Sequence, residues 1–196
     1  MHKVIEREAM KLLERCRFVK PIFHSLRKIG YFTVPASTKH HLSCRSGLAD
    51  HSINVTQNLL SISNAMNIDW PRVESPYIVG MLHDLVKCYC YDWIDGGWKY
   101  VQPYYPGHGI ASVMIASGIG IELLKKEIMA ITYHMGTFNI GKEYTKEEFD
   151  AALKSDYGRC ILATHYADWA ASNKEPQTFE GVKNESEDIS QCANRA

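Results

Sequence analysis

The segment Gly80-Met81-Leu82-His83-Asp84-Leu85-Val86-Lys87 constrains this chain most, because it sets an imidazole beside a carboxylate inside an apolar run. Burying a carboxylate costs several kcal/mol unless it is paired or binds a metal. A metal ion held by both side chains is the simplest partner. If the run is helical, Lys87 follows His83 by four residues and Asp84 by three, so a cation shares the face of the two candidate ligands. That arrangement suits an anionic substrate. Taken alone, the dipeptide has a plainer reading, a helix end with a solvated carboxylate.

The chain has 196 residues and is 45% hydrophobic, which fits one domain with a core that needs no cross-links. Lys plus Arg and Asp plus Glu are both 22, so no net basic field is available to hold a long nucleic acid by its phosphates, and a small substrate is favoured. Six cysteines are scattered (Cys16, Cys44, Cys88, Cys90, Cys160, Cys192), a pattern that points to a reducing compartment. Cys88 and Cys90 are too closely spaced for a zinc pair and read as ordinary thiols. The N-terminus is charged at once and no apolar run approaches about 18 residues, so neither a signal peptide nor a membrane span is expected, and a cytoplasmic location is.

Residues 3–29 carry apolar positions at helical spacing, with Pro21 marking a break between two helices that form an N-terminal cover. Residues 30–47 form a loop of turn formers in which Lys39 and Arg45 are candidate phosphate contacts, although a solvated basic loop explains them equally well. A helix from Leu48 to about Asn67 carries His51 in its first turns. The next begins near Ser75-Pro76 and runs through Val86, carrying His83 and Asp84 near its C-terminal half. Consecutive helices are usually neighbours, so His51 and His83 are expected to approach one another. Tyr91, Trp93, Trp98 and Tyr100 flank Asp95-Gly96-Gly97, the signature of a hairpin.

His108 then falls at a helix N-terminus, and His134 at the end of the following helix, with Gly136 suited to its cap. After a polar loop over 137–145, Thr145-Lys146-Glu147-Glu148 is an N-cap signature for a short helix to about Lys154. The last strong helix spans residues 160–171 and sets Asp168 in an apolar setting, with His165 better suited to support than to ligation. From Asn173 onward the chain is polar and is expected to fray.

His51, His83, Asp84, His108, His134 and Asp168 thus lie on different helices except for the adjacent pair, and facing helices of a bundle can bring such groups together as a di-metal site. Their order resembles the HD-domain superfamily of metal-dependent phosphohydrolases, over roughly residues 35–172. Gly47-Leu48-Ala49-Asp50-His51-Ser52 resembles the helix start that holds the first histidine. His83-Asp84-Leu85-Val86-Lys87 resembles the signature with its common lysine, and His108-Gly109 with His134-Met135-Gly136 resembles a subgroup of small stand-alone bacterial and phage-type proteins.

The residue pattern predicts an all-α bundle with one small β-hairpin, covering helices over 1–30 and a flexible tail over 174–196; the resemblance makes the unit over 31–173, packed with those helices, an HD-domain catalytic bundle. It also implies that His51, His83, Asp84 and Asp168 bind one divalent metal while Asp84 bridges to a second held by His108 and His134. The metals would be iron, manganese, zinc, nickel or magnesium. Asp84 and Lys87 would be catalytic, and Lys87, Arg45 and Lys39 would bind the phosphate of a nucleotide or similar small substrate. The chain lacks Gly-Tyr-Pro and an adjacent histidine pair after position 108, so a cyclic dinucleotide substrate is not supported. Two other readings stay open: a di-iron oxygenase, which would use the same ligand order, and a catalytically silent nucleotide-binding module. The N-terminal helices could cover the site or pair two copies of the chain.

Overall fold

The computed structural model describes residues 2–16 and 19–175. Among them the chain forms eight α-helices: α1 (His2–Leu13), α2 (Val19–Lys28), α3 (Gly47–Ala65), α4 (Ser75–Leu82), α5 (Gly109–Gly118), α6 (Lys125–Thr132), α7 (Lys146–Lys154) and α8 (Gly158–Lys174). Two 3-10 helices, Leu85–Tyr89 and Gly136–Asn139, and one antiparallel hairpin, β1 (Tyr91–Ile94) with β2 (Gly97–Tyr100), complete the fold. The architecture is all-α with a single small hairpin, as the sequence implies.

Helix α3 is the axis of the bundle and packs against α4, α8 and α1. Its Leu48 and Ile53 enter a core with Ile5, Ala9 and Leu26 of the N-terminal helices and Met81 and Leu82 of α4. Its Val55 and Leu59 enter a second core with Val79, Ile131 and Ala167. A helix with apolar neighbours on both sides buries any polar residue between them, and His51 is fully buried for that reason. The approach of α4 to α3 depends on Gly80, where an added Cβ would stand 2.7 Å from Thr56 Cα. Gly109 does the same for α5 and α6: a Cβ there would lie 2.2 Å from the Thr132 carbonyl oxygen.

The hairpin pairs Trp93 with Trp98 and Ile94 with Gly97, which leaves Asp95-Gly96 as a two-residue turn. Both turn residues have positive φ, 52° and 77°, as a type I′ turn requires. The capping box at α7 forms as expected: Thr145 Oγ1 accepts from Glu148 N at 3.1 Å and Glu148 Oε2 accepts from Thr145 N at 2.7 Å.

Four local expectations are corrected. Pro21 lies in the first turn of α2 and not at a break, because the N–H it lacks would have had no helical partner there. Helix α4 stops at Leu82, four residues early; Asp84 adopts φ −111° and ψ 22°, and the chain turns into the 3-10 helix. The loop over 137–145 contains the second 3-10 helix and a bridge between Ile140 and Tyr144. The chain also stays ordered past Asn173: α8 continues to Lys174 and Glu175 is only 3% exposed, so the polar run starts inside the fold. The remainder of the expected tail lies outside the described residues.

Cys16, Cys88, Cys90 and Cys160 are free thiols. Cys44 is held in a disulfide. No helix among the described residues is long and apolar enough to cross a membrane.

Candidate metal centre

Each of the six sequence-selected ligands sits where a helix begins, ends or crosses the middle of the bundle. His51 lies in the first turns of α3, and His83 and Asp84 follow the last turn of α4. His108 is the N-cap of α5, His134 sits in the turn after α6, and Asp168 is carried by α8. The fold brings all six together around Asp84. Its Oδ2 stands 3.6 Å from His51 Nε2 and 3.4 Å from His83 Nε2. Its Oδ1 stands 2.5 Å from His108 Nε2 and 3.5 Å from His134 Nε2. Asp168 Oδ1 closes the first group at 3.1 Å from His51 Nε2 and 3.9 Å from His83 Nε2.

The ring orientations are set from behind. His83 Nδ1–H donates to the Gly80 carbonyl at 2.9 Å, and His134 Nδ1–H donates to the Ile131 carbonyl at 2.7 Å. His51 Nδ1–H donates to the Glu175 carboxylate at 3.0 Å. In the neutral ring, a proton at Nδ1 leaves the Nε2 lone pair aimed inward. The Nε2 atoms of His51, His83 and His134 are buried and have no hydrogen-bond partner. Three buried imidazole nitrogens without partners, facing two carboxylates, are costly as a hydrogen-bonded network and normal for metal ligands. Imidazole with carboxylate is also the donor mixture that divalent transition metals take. The residues therefore fit a divalent metal, and Asp84, with each oxygen turned to a different histidine pair, fits two.

Electrostatics favour the ionised carboxylates. Burial would raise the pKa of Asp84, but Lys87, His83 and His108 outweigh it and hold the group well below the usual carboxylate range. Asp168 is likewise held low against its burial by His51 and His83. For His51 burial acts downward, and Glu175 and Asp168 overcome it to raise the pKa to about 10 in the metal-free site. Lys87 stands 2.7 Å from Asp84 Oδ2, the proximity expected from its spacing, although a 3-10 turn and not a continuous helix supplies it.

Lys39 and Arg45 are exposed on the loop before α3. Three residues at the site were not singled out from sequence. Glu175 supports His51 and also accepts from Asn54 Nδ2 at 2.6 Å. His41 stands 3.7 Å from Glu175 Oε2, its Nε2 buried and without a hydrogen-bond partner. Glu143 accepts from the backbone N–H of His108 and, at 3.2 Å, of Gly109, and so caps α5 and fixes the start of the helix that presents His108. None of the three lies in an apolar period or a recognisable motif, so no local signal marked them. His165 takes the supporting role expected of it, donating Nδ1–H to the His134 carbonyl at 2.7 Å.

No family model, no curated protein and no solved structure matches this chain. The case for its function therefore rests on the residues and their geometry.

Proposed function

We propose that this protein is a metal-dependent phosphohydrolase that cleaves a phosphate ester of a nucleotide or similar small substrate at a dinuclear site. The observation that carries the reading is the division of the Asp84 carboxylate, Oδ2 toward His51 and His83 and Oδ1 toward His108 and His134. His51, His83, Asp84 and Asp168 would hold one divalent cation, and Asp84, His108 and His134 a second. Iron, manganese, zinc, nickel or magnesium bound there would supply Lewis acidity toward a phosphate oxygen and a water acidified enough to attack at neutral pH.

The chain's own groups have separable tasks. Asp84 would offer one carboxylate oxygen to each position and neutralise charge there. Lys87 brings a cation to the same carboxylate, and its ammonium would bind a phosphate oxygen and offset negative charge that shifts during the displacement. Gly80 and Ile131 hold the imidazoles of His83 and His134 in the ligating tautomer through their carbonyls. Trp93 and Tyr104 are exposed aromatic faces able to stack a base, while Trp98 and Tyr105 pack partly against the core. Lys87, 2.7 Å from Asp84 Oδ2, is placed to receive phosphate, and the exposed Lys39 and Arg45 of the preceding loop are further candidates.

The deciding experiment is metal analysis of anaerobically purified protein, followed by phosphate-release and phosphodiester screens with manganese, iron or nickel, each beside Asp84→Ala. About two metals per chain with hydrolysis lost in the variant supports the proposal. Bound iron with oxygen uptake and no hydrolysis would replace it with an oxygenase.

A further inference from the structure

The six ligands are not supported alike. His83 and His134 are oriented by neutral backbone carbonyls, whereas His51 is oriented by the carboxylate of Glu175. Glu175 is built into the fold: it is 3% exposed, one oxygen accepts from Asn54 three residues after His51 on α3, and His41 closes on the other. A carboxylate behind a ligating imidazole fixes the ring and increases the basicity of the nitrogen that binds the metal. The two metal positions also differ in their own ligands. His51, His83, Asp84 and Asp168 surround one; Asp84, His108 and His134 surround the other, and the His108 side chain is 24% exposed.

We infer that Glu175 is a positioning residue which makes the His51 position the tighter of the two metal positions and leaves the His108 position weaker and exchangeable. This rests on the dinuclear reading above. It adds that occupancy is sequential, and that the end of α8 sets the affinity of the first step. The carboxylate acts through His51 and does not itself touch the metal.

The test is calorimetric titration of manganese(II) into chelator-stripped full-length protein, comparing wild type with Glu175→Ala, Glu175→Gln and His134→Ala. Wild type is expected to bind two equivalents of unequal affinity. Glu175→Ala should weaken the tighter step about 10–100-fold, as loss of a group that supports a ligand does elsewhere, and Glu175→Gln should weaken it less. Neither should move the weaker step, which His134→Ala alone should abolish. Circular dichroism checks folding, and the nearly isosteric Glu175→Gln carries the test if Glu175→Ala does not fold. Unchanged affinities, equal weakening of both steps, or equal affinities in wild type would overturn the inference while leaving the dinuclear reading in place. Loss of a third equivalent in Glu175→Ala would also overturn it, by showing that His41, His51 and Glu175 bind a cation themselves. Wild type that binds no manganese, iron or zinc would overturn both.

Discussion

The Glu175 carboxylate lies 3.0 Å from Nδ1 of His51, across 124 residues of sequence. The contact joins the last turn of α8 to the first turns of α3, the two helices that also bring Asp168 against His51. It makes the helix–helix packing and the ligand geometry one problem, so changes that shift α3 against its neighbours are expected to register as changes in metal binding.

Asp84→Ala is expected to remove both metal equivalents and reduce hydrolysis to background, because the carboxylate serves both positions. In metal-free protein it also strands the Lys87 ammonium, whose side chain is 14% exposed. Breaking a buried pair in this way costs about 3–5 kcal/mol. Metal content by mass spectrometry and urea unfolding of the stripped protein check the two effects separately.

Gly109→Ala is expected to destabilise the fold by about 1–3 kcal/mol, the usual cost of overpacking. The new Cβ would meet the Thr132 carbonyl oxygen at 2.2 Å and force α5 away from α6. Those helices present His108 and His134, so manganese titration should show the weaker step reduced and the tighter one retained. Equal loss at both steps would show instead that the damage is global.

Glu127→Ala is expected to cost about 3–5 kcal/mol without altering metal affinity. Glu127 is fully buried and accepts from Arg72 Nε and Nη2 at 2.7 Å each, from Ser75 Oγ at 2.7 Å and from Leu124 N at 2.8 Å. It ties the starts of α4 and α6 together away from the ligands. A lower urea midpoint with an unchanged manganese titration is the expected result.

Cys16 and Cys160 should resist thiol reagents at pH 8 in the folded protein and react once it unfolds. Burial pushes the Cys16 thiol up to about 12 and the Cys160 thiol up to about 11 from an ordinary 9.0. Folding raises both values, so the stability held by the neutral thiols is full below pH 9.0 and is lost as pH rises toward 11 and 12. Reactivity with a chromogenic disulfide against pH, and urea midpoints between pH 8 and 11, measure the two consequences.

Sequence by itself determined the helical class, the Asp95-Gly96 hairpin, the α7 capping box and the identities of the six groups that meet at Asp84. Apolar period, turn residues and cap residues act over a few positions, so they are legible one segment at a time. The tertiary structure decided which oxygen of Asp84 faces which histidines and where α4 ends. It also decided that Glu175, Glu143 and His41 stand behind the ligands. Those outcomes depend on how close two backbones come, as at Gly80 against Thr56, and on hydrogen bonds made across the bundle. A polar residue such as Glu175 gives no periodic signal, because its burial is imposed by the helices packed around it and not by its sequence neighbours.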